Sequence, residues 1–209
     1  MKREDILAQL LISKIVAIIR LNSAEPVHTT ALALHGGGIN VIEVTMGTPN
    51  ALQEIYKLSK IRGVIPGVGS VINKEQAIEA VSAGAQFIVT PASKSEVIFA
   101  AHECGKPVLS GALTPTEIMQ AYEWGADVVK LFPASTFGLP YFKAVQAPIP
   151  HIPMMPTGGV TVDNAKSWLD SGAVCLGVGS SLVDKDLIAK GKFEEIAQLA
   201  KAMKAQVGT

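Results

Sequence analysis

Short apolar runs alternate with amphipathic segments along the chain. The runs are rich in valine and isoleucine, and most are bounded by glycine, proline or polar residues, as is typical of strands buried on both faces. Such strands belong to parallel sheets, in which helices cover the strands. The eight runs are IVAIIR (15–20), NVIEVT (40–45), GVIPGVG (63–69), QFIVTP (86–91), KPVLSG (106–111), DVVKLF (127–132), IPMMPTGG (152–159) and AVCLGVGS (173–180).

The segments between the runs have helical spacing and carry signals for helix ends. In residues 73–84, Asn73 is a suitable N-cap, and the glycine that closes the segment is a suitable helix stop. The spacing of Ala77, Ile78 and Val81 predicts that these three residues share the buried face of this helix.

Two further segments, 114–125 and 161–172, have the same organisation, with a threonine cap and a closing glycine. Eight strand–helix alternations of about 20–25 residues predict a single (β/α)8 TIM barrel, an α/β fold, that occupies residues 1–209 as one domain. The leading segment 3–13 predicts an extra N-terminal helix that covers the bottom of the barrel. A doubly wound open sheet is the alternative architecture.

Three of the runs contain a charged residue near their carboxyl ends, and the alternation of side chains along a strand tells which way each points. In the sixth run, Lys130 lies on the face opposite Val129 and Leu131, which suit the layer beneath the helices. The same argument places Glu43 and Arg20 on the inner face, near the carboxyl ends of their strands. Active sites of TIM barrels lie at that end, so we expect the three side chains to converge in one cavity; a purely structural buried ion network is the alternative.

These three residue types suit imine chemistry. A lysine attacks a carbonyl only as the neutral amine, and its ordinary pKa is about 10.4. Burial beside Phe132, together with the positive charge of Arg20, would lower the pKa of Lys130. In the resulting imine, an adjacent carbon–carbon bond can break through an enamine. We expect Glu43 to shuttle the proton and to approach the lysine through water. We expect Arg20 to anchor an anionic group of the substrate.

Two glycine-rich turns follow the seventh and eighth runs, at PTGGV (156–160) and GVGSS (177–181). In TIM barrels, loops at these positions commonly hold a phosphate through backbone N–H groups. The alternative is that the glycines only permit tight turns. Neither GVGSSL nor GVGSVI completes the dinucleotide pattern GxGxxG, because the sixth position is Leu182 or Ile72, so a dinucleotide cofactor is not expected.

Composition removes several other classes of function. Lys+Arg and Asp+Glu both number 18, and no basic stripe alternates with aromatic residues, so nucleic acid is not an expected partner. The run IVAII is too short for a signal core or a membrane span. Cys104 and Cys175 lack CxxC spacing and indicate a reducing cytoplasm. The four histidines show no ligand spacing, so no metal is expected, and Asp127 is expected to bond backbone.

The chain resembles the 2-keto-3-deoxy-6-phosphogluconate (KDPG) / 4-hydroxy-2-oxoglutarate (KHG) aldolase family, which are class I Schiff-base aldolases. The resemblance covers nearly the whole chain in order, and it implies a homotrimer of (β/α)8 barrels without metal or other cofactor. The segment FPASTFGLPYFKAV also resembles the branch that acts on the galactonate epimer. The motifs that carry the resemblance are VAIIR, GGINVIEVTMGTPNA, IPGVGSV, GAQFIVTP, ADVVKLFPAS, PTGGV and LGVGSSLV.

The resemblance also assigns roles to residues at matching positions. Lys130 matches the Schiff-base lysine and Glu43 the general acid/base. Arg20 and Ser70 match polar ligands of the substrate. Residues in or beside the phosphate turns are matched by Thr157, Gly158, Gly159, Gly179 and Ser180. The pocket walls are matched by Pro91, Phe132 and Pro133.

At two positions the chain departs from the family pattern. Many members carry an arginine, as a ligand of the pyruvate carboxylate, where this chain has Gly47, and a threonine where it has Ser70. We expect a lyase that cleaves a phosphorylated 2-keto-3-deoxy sugar acid, with the choice of sugar acid left open. The alternatives are a phosphosugar isomerase or epimerase with Glu43 as base, and a non-catalytic barrel that binds a phosphorylated metabolite.

Overall fold

A computed structural model describes residues 1–208 of the chain. Eight parallel strands form one sheet in the order β7-β6-β5-β4-β3-β2-β1-β8, so every strand except those at the ends pairs with its neighbours in sequence. Each of the eight predicted runs corresponds to one strand, and only β5 extends beyond its run, by one residue. The strands are β1 (Ile15–Ile19), β2 (Val41–Thr45), β3 (Ile65–Gly69), β4 (Phe87–Val89), β5 (Val108–Ala112), β6 (Val128–Leu131), β7 (Met154–Pro156) and β8 (Leu176–Val178).

Helices connect successive strands and form the outer layer. The strand–helix alternation and the strand order confirm the predicted barrel and exclude the open doubly wound sheet, whose order would reverse at a switch point. The helices are α1 (Arg3–Ser13), α2 (Glu25–Gly36), α3 (Ala51–Leu58), α4 (Lys74–Ser82), α5 (Ser95–Glu103), α6 (Pro115–Glu123), α7 (Gly138–Gln146), α8 (Ala165–Asp170), α9 (Lys185–Ala189) and α10 (Phe193–Val207).

The ring of strands is completed by β7 and β8, which pair more sparsely than their neighbours. Val174 donates its backbone N–H to Met154 O at 3.0 Å, and a single parallel bridge joins Thr157, directly after β7, to Gly177 in β8. We call this junction the β7–β8 seam. On the other side of β8, three consecutive residues pair in register with β1.

The apolar core has two layers on opposite sides of the strands. Outward-facing residues such as Val129 and Leu131 pack beneath the helices. Inward-facing residues, including Val41 and Val128, fill the barrel together with Ile6 and Leu10 of α1. The N-terminal helix therefore closes the bottom of the barrel, as predicted from its sequence.

A buried carboxylate ties α1 to the strands. Asp127 accepts two hydrogen bonds from the Arg3 guanidinium, at 2.7 and 2.9 Å, and one from the Val108 backbone N–H at 2.8 Å. Both Arg3 bonds go to Oδ1, whereas Oδ2 accepts the Val108 bond and also lies 3.1 Å from His102 Nε2. The prediction that Asp127 bonds backbone is confirmed, and the residue additionally anchors the helix that closes the barrel.

The caps and buried faces predicted for the helices agree with the structure with two exceptions. Asn73 and Thr114 cap α4 and α6 as predicted. In segment 161–172 the predicted threonine cap is wrong: α8 begins only at Ala165, because the Asn164 side chain accepts a hydrogen bond from the Thr161 backbone N–H and holds the preceding turn outside the helix.

The second exception is the buried face of α4. That face is formed by Ala77 and Ala80, whereas Ile78 is exposed, so the predicted face is rotated. No helix of residues 1–208 is both long enough and apolar enough to cross a lipid bilayer.

Candidate active site

Two charged side chains lie inside the barrel near the carboxyl ends of their strands. Glu43 projects from β2 and Lys130 from β6, and they are only 1% and 4% exposed. Their strand neighbours Val41 and Val128 belong to the barrel interior, which confirms the predicted direction of both side chains. Arg20, which follows β1 directly, lies at the same end but remains exposed to solvent.

The Glu43 carboxylate occupies space that the adjacent strand leaves free. A Cβ atom at Gly69 of β3 would overlap the Glu43 carboxyl group, so the absence of a side chain there makes room for it. Both carboxyl oxygens are buried and have no hydrogen-bond partner among residues 1–208. Burial raises the pKa of Glu43, while the positive charges of Lys130 and Arg20 oppose that rise. A carboxyl group in this setting can hold a proton and release it to a nearby base.

The Lys130 amine lies in an apolar setting. Its Nζ atom lies 4.9 Å from the centre of the Phe132 ring, and within residues 1–208 no carboxylate oxygen lies within 4.0 Å of it. Burial lowers the pKa of Lys130; the negative charge of Glu43 opposes this shift and the positive charge of Arg20 adds to it. The lowered pKa predicted from the sequence is confirmed, and it increases the fraction of neutral, nucleophilic amine.

Arg20 and Ser70 form a polar pair at the mouth of the barrel. Arg20 Nη2 donates a hydrogen bond to Ser70 Oγ at 3.1 Å. Ser70 has a φ of 59°, in the left-handed region, which costs a residue with a Cβ atom about 1–2 kcal/mol. Strained backbone of this kind is concentrated at functional sites, and here it holds the hydroxyl against the guanidinium.

A cavity of about 320 Å³ opens above Lys130. It brings together most of the residues singled out from the sequence, and Gly158 and Gly159 have φ angles of 99° and 73°, which only glycine adopts readily. The Thr157 hydroxyl is buried in its wall without a hydrogen-bond partner among residues 1–208. The predicted residues that line it are Arg20, Lys130, Phe132, Thr157, Gly158, Gly159, Gly179 and Ser180.

Four predicted site residues, Glu43, Ser70, Pro91 and Pro133, lie outside this lining. Glu43 and Ser70 are not part of it, although the charge of Glu43 acts on Lys130. Pro91 lines a neighbouring cavity of about 330 Å³, and Phe132 belongs to the walls of both cavities. The sequence placed Pro91 correctly at this end of the barrel but could not tell which cavity it faces.

The cavity lining also contains Lys185, which the sequence gave no reason to single out. It is the first residue of α9, five positions after Ser180, and it is exposed while also lining the cavity. The only available signal is that a lysine closely follows a glycine-rich phosphate turn. Gly47, at which the family resemblance leads us to expect an arginine, is exposed, and a Cβ atom there would meet no other atom within 4 Å.

No cluster of three or more histidine, cysteine, aspartate or glutamate side chains in residues 1–208 could hold a metal ion. Burial raises the pKa of the Cys175 thiol to about 12, so this cysteine is an inert part of the barrel interior.

Comparison with known proteins identifies the family of this chain. The family model described as KDPG and KHG aldolase matches residues 6–199. This chain belongs to the KDPG and KHG aldolase family. The match spans almost the whole barrel, from α1 to α10, and agrees with the ordered motifs found in the sequence.

Several relatives in the family have been described. The KHG/KDPG aldolase of Escherichia coli K12 is 33% identical over 201 residues, which cover 95% of this chain and 92% of the relative. The 2-dehydro-3-deoxy-6-phosphogalactonate aldolase of the same organism is 33% identical over 196 residues, covering 92% of this chain and 96% of the relative.

A solved structure of a KDPG aldolase from Legionella pneumophila, with pyruvate captured as a covalent carbinolamine intermediate, is 30% identical. It aligns with a TM-score of 0.87 over 95% of this chain and 97% of that chain.

Proposed function

We propose that this protein is a class I aldolase that cleaves a 2-keto-3-deoxy-6-phospho sugar acid into pyruvate and glyceraldehyde 3-phosphate. The observation that carries the proposal is a buried lysine of lowered pKa, Lys130, at the catalytic end of a barrel strand, with the buried carboxyl group of Glu43 acting on its charge. Membership of the KDPG and KHG aldolase family supports the same reaction.

The proposed reaction begins at the Lys130 amine. The neutral nitrogen attacks the C2 carbonyl of the keto acid to form a carbinolamine. The carbinolamine hydroxyl takes a proton from the Glu43 carboxyl group and leaves as water, which gives a protonated imine and a Glu43 carboxylate. Glu43, as carboxylate, removes the proton of the C4 hydroxyl. The C3–C4 bond then breaks, its electron pair moves into the enamine, and the aldehyde leaves. Glu43 returns the proton to C3. Water then hydrolyses the protonated imine to release pyruvate and the free amine, and the proton set free goes to the Glu43 carboxylate.

Other residues of the site hold the two ends of the substrate in this proposal. Arg20 and Ser70 bind the carboxylate next to the reacting carbonyl, because a guanidinium and a hydroxyl suit that group. The backbone N–H groups of Gly158, Gly159 and Gly179, with the Ser180 hydroxyl, bind the phosphate. Thr157 and Phe132 form the wall between, with Pro91 and Pro133 outside it. The proposed site uses no metal or other cofactor.

The test is to trap the imine. We expect incubation with pyruvate and borohydride to add a reduced pyruvyl mass to Lys130, as located by peptide mass spectrometry. The variant Lys130→Met should acquire no adduct, and borohydride without pyruvate is the reagent control. An adduct on a different lysine, or none, would show that the proposed mechanism is wrong.

The same experiment separates the two alternative functions. An isomerase or epimerase with Glu43 as base, or a non-catalytic barrel that binds phosphate, would have no use for an imine and should give no adduct. A pyruvate-release assay across the gluconate and galactonate epimers and 4-hydroxy-2-oxoglutarate then identifies the preferred substrate. Gly47 makes this comparison informative, because the chain lacks the arginine that many members of the family use for the carboxylate.

We also propose that residues 1–209 form one domain and that the protein is a cytoplasmic homotrimer without membrane or nucleic-acid partners. The continuous sheet and core support one domain, and the phosphorylated substrate and free cysteines are consistent with the cytoplasm.

The helices α4, α5 and α6 expose Ile78, Phe99 and Met119 on their outer surface, which suits an interface. Sedimentation velocity should give a mass about three times the 21.9 kDa of the chain.

A further inference from the structure

The segment that follows β8 supplies a positive charge to the cavity as well as its glycine-rich turn. Gly179, Ser180, Val183 and Lys185 all line the cavity, and they lie within seven consecutive residues. Ser181, inside the same segment, donates a hydrogen bond to Val160 O at 2.6 Å and ties this turn to the one after β7. The backbone that carries Lys185 is therefore fixed relative to the rest of the proposed phosphate site.

The charge of Lys185 is not neutralised by nearby acids. Within residues 1–208, no carboxylate oxygen lies within 4.0 Å of its Nζ atom. The adjacent Asp184 is already engaged, because its Oδ1 accepts hydrogen bonds from the backbone N–H groups of Asp186, at 2.8 Å, and Leu187, at 3.0 Å. The ammonium group of Lys185 is thus free to interact with an anion in the cavity.

The charges around the cavity suggest which anion that is. Among the described residues that line it, three are cationic, Arg20, Lys130 and Lys185, and none carries a carboxylate. In the proposed reaction Lys130 acts as a neutral amine, and Arg20, hydrogen-bonded to Ser70, takes the carboxylate beside the carbonyl. Lys185 then remains for a second anionic group, next to the turn that contains Gly179 and Ser180.

We infer that Lys185 is a specificity-determining residue that favours a doubly charged phosphate at the far end of the substrate over a hydroxyl or a carboxylate. This inference rests on the proposed function. A phosphate ester carries a charge of about −1.5 to −2 at pH 7, so its Coulomb attraction to one ammonium group is up to twice that of a carboxylate. A hydroxyl group at the same place would gain no such attraction.

The experiment compares two substrates that differ only in the phosphate, 2-keto-3-deoxy-6-phosphogluconate and its unphosphorylated analogue, by kcat/KM. In Lys185→Gln we expect the kcat/KM of the phosphorylated substrate, divided by that of the unphosphorylated analogue, to fall about twofold to fivefold, as for the loss of one exposed charge pair. Lys185→Arg should restore the ratio, because it keeps the charge. Lys190→Gln is the matched control: Lys190 lies at the other end of α9, is exposed and does not line the cavity, so its ratio should equal that of the wild type.

A pH series adds a measurement that a purely structural role of Lys185 would not change. The second pKa of a phosphate ester is near 6, so the advantage of wild type over Lys185→Gln on the phosphorylated substrate should grow between pH 5.5 and 7.5. An unchanged substrate ratio in Lys185→Gln, in an enzyme that forms the pyruvate adduct on Lys130, overturns the inference alone. Absence of the adduct in the wild type overturns the proposed function instead.

Discussion

At the scale of single residues, the site depends on two buried groups whose charges influence each other. Burial acts on Glu43 and Lys130 in the same sense, because it disfavours the charged form of each, and their mutual attraction only partly offsets this. The result suits a reaction that needs a neutral amine and a carboxyl group able to exchange protons.

The influence of the neighbours on Lys130 can be tested with two variants of opposite effect. Glu43→Gln removes the negative charge that raises the pKa of Lys130, so adduct formation with saturating pyruvate should reach half its maximal rate at a lower pH than in the wild type. Arg20→Gln removes the positive charge that lowers this pKa, so its midpoint should move to higher pH. The measurement is the rate of reductive trapping across a pH series; shifts in the same direction would contradict the assignment of these charges.

A second residue-scale prediction concerns the space that holds the Glu43 carboxylate. In Gly69→Ala the new methyl group overlaps that carboxyl group, so either Glu43 or the strand must move. We expect a loss of roughly 1–3 kcal/mol in the free energy of unfolding, as for overpacked cores, and at least a tenfold fall in kcat. Urea denaturation and pyruvate release measure the two effects.

The matched control is Gly36→Ala at the end of α2, where a Cβ atom would meet no other atom within 4 Å. It should leave kcat unchanged and the free energy of unfolding unchanged or slightly increased, because alanine stabilises helices relative to glycine. Equal effects of the two substitutions would mean that the overlap with Glu43 is unimportant.

At the scale of elements, α1 is held to the barrel by a polar contact as well as by its apolar face. Ile6 and Leu10 insert into the bottom of the barrel, and Arg3 reaches the buried carboxylate of Asp127 at the start of β6. The same strand carries Lys130 toward its other end. The anchor of α1 and the proposed catalytic amine are therefore three residues apart on one rigid element.

We expect Asp127→Asn to lower the free energy of unfolding by about 2–3 kcal/mol, since it leaves the donors on Arg3 and Val108 without a charged acceptor in a buried place. The control Asp170→Asn removes an ion pair with Lys166 whose carboxylate is 61% exposed, and it should change stability by no more than about 0.5 kcal/mol. Urea denaturation compares the two variants. A smaller loss in Asp127→Asn than in Asp170→Asn would show that Asp127 does not anchor α1.

At the scale of the whole molecule, the exposed apolar side chains of α4, α5 and α6 make the proposed trimer testable. Phe99 on α5 is 52% exposed, and Leu32 on α2 is 43% exposed on a different part of the surface. Phe99→Lys should shift sedimentation toward the mass of a single chain, because an ammonium group in an apolar interface loses its hydration. Leu32→Lys should not, and dissociation in both variants or in neither would contradict this choice of interface.

The architecture of the whole barrel was predictable from the sequence, because it follows from local patterns repeated eight times. The alternation of side chains along β2 and β6 also gave the correct inward direction of Glu43 and Lys130. The face of α4 and the start of α8 were not predictable, because tertiary packing exposed Ile78 and the Asn164 side chain bonded outside the helix. Which cavity Pro91 faces, and the approach of Lys185, depend on loop paths that no periodicity encodes.

The β7–β8 seam has a consequence for how substrate and fold affect each other. Thr157, Gly158 and Gly159 follow one edge of the seam, and Gly177, Gly179 and Ser180 belong to the other, so the proposed phosphate site straddles the most sparsely bonded part of the ring. A phosphate bound there would contact both edges and so hold β7 and β8 together. Opening of the barrel at this junction would then require release of the ligand. The protein with substrate bound would therefore be more resistant to thermal unfolding and to proteolysis than the protein with an empty site.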